Sequence, residues 1–153
     1  MVNASAVARP GFRELRRDEC ERVLARNSVG RLAFTFKDRV DIHPIHYAYD
    51  DGWLYGRIDP GEKFSTIKHN RWVAFEVDEV DGVFDWRSVV VRGAFYRLEK
   101  QGAPDEAAAR DRAIKLLQDI VPGTGTPTDP VGFRDIYFRI HTDDMTGRAA
   151  KSP

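Results

Sequence analysis

Between residues 30 and 57 the chain alternates apolar and polar side chains and reverses direction twice within a few residues, which commits it to antiparallel strands. Leu32, Phe34 and Phe36 alternate with Arg31, Ala33 and Thr35. Lys37-Asp38 turns the chain into a second strand over residues 40–49, and Asp50-Asp51-Gly52 turns it again into Trp53-Leu54-Tyr55. Pro44 lies inside the second strand and cannot donate to a ladder. The strand is therefore interrupted, bulged or at an edge there, with backbone groups left to meet a ligand.

The same alternation marks further strands at residues 72–77, 89–98 and 136–142, with Gly93 signalling a bend or a close backbone approach. Two helices are expected. One covers residues 18–26, with Asp18 as N-cap, Glu21 three positions on, and Cys20, Val23 and Leu24 on one face. The other covers residues 105–120 behind Pro104. The acidic segment 78–85 reads as a loop and residues 123–130 as a flexible surface linker. Six strands without regular strand–helix alternation predict a mainly β fold, a six-stranded antiparallel barrel with flanking helices, because closure removes exposed strand edges.

A length of 153 residues suits one domain. Lys plus Arg number 24 and so do Asp plus Glu, so the chain lacks the basic surplus on which nonspecific nucleic-acid binding depends, and no nucleic-acid partner is expected. Residues 1–12 lack the charged start and apolar run of a secretory leader, and no stretch reaches membrane-spanning length. A cytoplasmic protein without a membrane partner is the expectation. The single cysteine, Cys20, excludes an internal disulfide. Flanked by Glu19 and Glu21, it is a poor nucleophile.

The chemistry concentrates in residues 53–63, WLYGRIDPGEK. A short aromatic strand runs through Gly56 and Arg57 into the turn Asp59-Pro60-Gly61, which delivers Lys63 to a fixed place beside turn N–H groups. A lysine so placed supplies the point charge a phosphate needs, and Ser65 and Thr66 add hydroxyl donors. A hairpin turn with a solvated lysine is the plain alternative, and the segment alone leaves both open. His43 and His46, three apart on a strand, point to opposite faces and make no metal pair. No nucleophile elbow, dinucleotide fingerprint or P-loop pattern occurs.

The ordered set of GRLAF from Gly30, the Pro44 strand, DGWLYGRIDPGEK, WRSVVVRG ending at Gly93, and MTGR resembles the pyridoxamine-phosphate-oxidase-like flavoproteins, and within them the branch that includes nitroimidazole-resistance proteins. The resemblance implies an FMN-binding split barrel over residues 15–148, with flexible tails at 1–14 and 149–153, forming a homodimer with FMN at the subunit interface. It places Lys63 on the FMN phosphate, with Gly56 and Arg57 on the strand end beside the cofactor. Pro44, Ile45, His46 and Tyr47 would run along the isoalloxazine, with Ser88 meeting it from the strand that Trp86 opens, and Ser65 completes the cofactor set. Arg57 would bring positive charge to the cofactor. The implied activity is hydride transfer between a reduced nicotinamide and a small acceptor, with no side chain singled out as catalytic. The alternatives are a non-catalytic flavin or haem binder or sensor, a deazaflavin-dependent reductase, and a scaffold with an empty pocket.

Overall fold

The computed structural model describes residues 7–61 and 72–153. Among these, eight strands and two helices follow in the order β1 (Gly11–Glu14), α1 (Arg17–Arg26), β2 (Val29–Phe36), β3 (Arg39–Asp50), β4 (Trp53–Ile58), β5 (Trp72–Gly82), β6 (Asp85–Leu98), α2 (Pro104–Gln118), β7 (Ile136–His141) and β8 (Asp144–Lys151). Every pairing is antiparallel. The strand order is β1-β8-β6-β5-β2-β3-β4-β7, and an additional β6–β7 pairing closes the last six into a ring.

The ring is split because two strands serve two sheets. β3 pairs with β2 over residues 39–46 and with β4 over residues 47–50. β6 pairs with β8 up to Arg92 and with β7 from Phe95. Gly93 is where β6 crosses over: a Cβ there would lie 3.0 Å from the His141 carbonyl oxygen and 3.3 Å from Ile140. Pro44 falls in the part of β3 whose one strand neighbour among the described residues is β2, so its missing N–H costs no ladder bond.

Alternation places Leu32, Phe34, Ile45, Tyr47, Phe75, Val77, Val89 and Val91 inside the barrel, all below a tenth exposed. α1 lays Cys20, Val23 and Leu24 on this core. Its N-cap is Arg16 rather than Asp18, and the Arg16 N–H donates to Glu19 Oε1 at 3.1 Å, so the box closes on Glu19 and not on Glu21. α2 covers a second cluster, in which Ala109, Ala113 and Leu117 meet Tyr55, Leu98 and Tyr137 on the outer side of β4, β6 and β7.

Four further expectations are corrected. Residues 11–14, expected within a flexible tail, form β1, because β8 offers an edge on which Phe12 pairs with Ala150 and Glu14 with Arg148. Residues 149–151, also expected as tail, belong to β8, whose inward positions are small; a Cβ at Gly147 would lie 2.5 Å from Cys20 Sγ. The acidic segment 78–85 is the end of β5, a two-residue turn and the start of β6, and distant arginines make it tolerable: Asp78 meets Arg31, and Glu79 meets Arg26 and Arg87. Residues 123–130 are tied down as well, since Thr124 is fully buried and donates to the Val121 carbonyl at 2.6 Å. Among the described residues, no helix is long and apolar enough to cross a membrane.

Candidate functional site

The side chains that β2, β3, β5 and β6 turn away from the barrel share one outer face. Val40, Ile42 and Trp72 are 76, 62 and 63 % exposed there, an apolar patch of the kind that marks an interaction surface or a ligand groove. Between them Ala33 stands directly opposite Ala74. Two methyl groups in register leave a flat floor, and among the described residues Trp72, Val40, Thr35 and Arg92 rise around it to form an apolar recess of ≈ 250 Å³ with the Arg92 cation at its rim. A planar ring fits such a floor, whereas a branched side chain at either alanine would fill it.

Next to the recess runs a polar row. Arg31 Nη1 donates to Glu76 Oε1 at 3.4 Å and to Asp78 Oδ1 at 3.1 Å, and Ser88 Oγ donates to Glu76 Oε2 at 3.2 Å. Burial, followed by the charge on Asp78, pushes the Glu76 carboxyl above its ordinary value. Pro44 sits across β2 from this row, opposite Arg31. Ser88 and Pro44 therefore belong to one face although they are far apart in sequence, while His46 lies further along it opposite Val29, and Trp86 lies at its far end opposite Val80.

The other expected site residues are placed differently. Lys63 and Ser65 lie outside the described residues. Ile45 and Tyr47 point into the core, 6 and 0 % exposed, and the Tyr47 hydroxyl donates to the Leu24 carbonyl at 2.7 Å. Only their backbone can reach a ligand on the outer face. Gly56 is small because of the core, since a Cβ there would lie 2.6 Å from Phe138 Cζ. Arg57 does not present a free charge to a ligand. Its guanidinium grips the Asp129 carboxylate at 2.5 and 3.1 Å and donates to Thr124 Oγ1 at 3.3 Å. Asp129 also accepts the N–H groups of Gly125 and Val131 at 2.9 and 3.1 Å. Led by the Arg57 hydrogen bond, these donors hold its carboxyl far below the usual carboxylate range.

Sequence reasoning did not single out Arg31, Glu76 and Arg92, each a charged residue at an alternate position of a strand that reads locally as a solvated face, and it read Asp78 as part of an acidic loop. The Arg31–Glu76 contact spans 45 residues and exists only because β2 pairs with β5. His43 stacks on Phe34 on the inner side, 5.6 Å between centroids, while His46 faces out, as their odd spacing requires.

A sequence profile of the family described as pyridoxamine 5'-phosphate oxidase matches residues 16–149. An uncharacterized protein of Rhizobium meliloti (strain 1021) is 34 % identical over 146 residues, covering 90 % of this chain and 95 % of its own. The crystal structure of a FAD-binding protein from Mesorhizobium loti superposes with a TM-score of 0.73 at 32 % identity, over 92 % of this chain and 99 % of that one. A FAD-binding protein from Mycobacterium smegmatis superposes with a TM-score of 0.65 at 25 % identity, over 90 and 97 % of the two chains. A profile that spans nearly the whole barrel, with relatives this close over their full length, places the chain in the pyridoxamine 5'-phosphate oxidase family.

Proposed function

We propose that the protein is a dimeric flavin-binding protein of the cytoplasm and a flavin-dependent oxidoreductase, with FMN or an FMN-containing cofactor lying against the outer sheet face. The observation that carries this is the Ala33–Ala74 floor with its exposed apolar surround, which offers a flat ring both a seat and a reason to be covered. The flavin binding by which two similar proteins are described supports the same class of ligand.

In this reading Trp72, Ala74 and Ala33 supply the apolar wall. Ser88 and the backbone near Pro44 supply edge hydrogen bonds, and Lys63 neutralises the phosphate. A bound flavin contributes reversible hydride exchange with a reduced nicotinamide and a small acceptor. This chain's residues orient the ring, exclude water and set the local charge, through Arg31 and Arg92 against Glu76 and Asp78. A second copy covering Val40, Ile42 and Trp72 removes their apolar surface from water and closes the seat.

The test is a titration of the purified protein with FMN, followed by its visible spectrum and by quenching of tryptophan fluorescence, beside sedimentation of the same sample. Saturable binding to a dimer is expected, and Lys63→Ala weakens it by at least about tenfold, the worth of one charge-assisted hydrogen bond. Equal responses from the two proteins, or a monomer at all concentrations, would sink the proposal.

A further inference from the structure

At the far end of the same face lies a second recess, ≈ 280 Å³ in volume, lined by Phe12, Arg13, Glu14, Trp86, Arg148 and Ala149. The strand register explains it. Phe12 on β1 and Trp86 on β6 both stand opposite Ala150 of β8, so two large rings flank one small residue across three strands. The rings lean together over it, 6.5 Å between centroids at 52°, and Phe84 closes the edge against Phe12 at 6.2 Å. One row along, Glu14 and Ser88 both stand opposite Arg148.

The polar groups here are not equally available. Arg13 is committed to Glu19 through two hydrogen bonds of 2.9 and 2.6 Å. Arg148 is exposed and makes no ion pair among the described residues. Aromatic walls favour a flat ring. A free guanidinium beside them favours an anion, and a carboxylate accepts only N–H or O–H donors. A sugar phosphate satisfies the cation but wastes the walls, and a plain aromatic leaves both charges unmet. A purine carrying an exocyclic amine and a phosphate answers all three.

We propose that this recess holds an adenylate group, with the purine against Phe12 and Trp86, its amine toward Glu14 and its phosphate on Arg148. Two carriers have this chemistry: the adenylate half of FAD, and a free adenine nucleotide such as the adenylate portion of a reduced nicotinamide. Naming FAD as a carrier rests on the flavin reading above; the recess itself does not.

The experiment is a set of titrations of the full chain with AMP, ribose 5-phosphate, FMN and FAD, by calorimetry and tryptophan fluorescence, on the wild type and on Phe12→Ala and Arg148→Ala. Both substitutions are at exposed positions, and thermal melting checks that each variant folds. Saturable AMP binding is expected, with none for ribose 5-phosphate, and each variant should lose at least about tenfold in AMP affinity. FAD binding tighter than FMN, by a margin that disappears in both variants, identifies the flavin's own adenylate. Equal FAD and FMN affinities with AMP retained identify a free nucleotide. Absence of AMP binding, or AMP affinity unchanged in both variants, overturns the proposal. So does a change of oligomeric mass in the variants with a flat AMP titration, which would make the recess a subunit contact. Loss of FMN binding with AMP binding intact would remove the flavin reading and leave this one standing.

Discussion

Replacing Asp129 by Asn keeps the side chain's shape and deletes its charge, and the structure says what that should cost. The carboxylate and the Arg57 guanidinium are 3 and 6 % exposed, so solvent screens them little. In the variant the guanidinium stays buried opposite a neutral amide, and breaking such a pair from one side costs about 3–5 kcal/mol. Against a total stability on the order of 5–15 kcal/mol, that is a large share. At roughly 2–4 °C per kcal/mol for a chain of this length, the melting temperature should fall by roughly 6–20 °C. Urea denaturation of wild type, Asp129→Asn, Arg57→Met and the combined Arg57→Met/Asp129→Leu protein measures the effect. Each single variant should lose several kcal/mol, while the double variant recovers much of the loss because no lone charge remains. The pH dependence has a fixed sign. The Asp129 carboxyl is depressed in the fold, so its stabilisation is fully present above the unfolded value of about 3.9 and is lost as pH falls toward the folded one. Asp129→Asn should flatten that part of the acid limb. A melting temperature within about 2 °C of wild type, or a coupling energy below about 0.5 kcal/mol, would refute the reasoning and mean that other contacts hold residues 123–130 to β4.

Other substitutions separate core from ligand roles. Tyr47→Phe leaves the buried Leu24 carbonyl without its donor and should cost about 1–3 kcal/mol in urea denaturation, with flavin affinity unchanged because the ring points away from the outer face. Gly56→Ala puts a methyl group 2.6 Å from Phe138 Cζ and should cost about 1–3 kcal/mol, part of which Phe138→Leu restores in a double-variant melt. Glu79 is held down to about 2, first by its hydrogen bond to Arg26, so it stabilises the fold above its unfolded value near 4.5 and that contribution fades as pH falls from there toward 2. A melting series over that window should show a shallower acid loss for Glu79→Gln than for wild type.

The barrel was legible in the sequence because its six ring strands alternate apolar and polar residues and are joined, in the first three, by turns with plain turn chemistry. β8 was not, because Gly147, Ala149 and Ala150 fill tight space without announcing themselves as apolar, and β1 is four residues whose strand state depends on β8. Pro44 was read as a strand position that is interrupted, bulged or at an edge, and among the described residues it lies at an edge. Charge was the harder problem. Arg57 looked like a cofactor cation because Asp129, its partner, is 72 residues away in a segment of threonine, proline and glycine that reads as linker. Glu76 looked like an ordinary exposed acid until β2 brought Arg31 beside it and β6 brought Ser88.

β1 and β8 are neighbours, with Gly11 opposite Lys151, so these two residues leave one sheet edge about 5 Å apart. A short peptide joining them would make a cyclic chain at small entropic cost. Reopening that ring between Lys37 and Asp38, two non-glycine residues at φ 48° and 62°, would relieve a strained reversal and leave every ladder intact. The molecule is thus a natural scaffold for circular permutation, with new termini at the opposite end of the β2–β3 hairpin from Pro44.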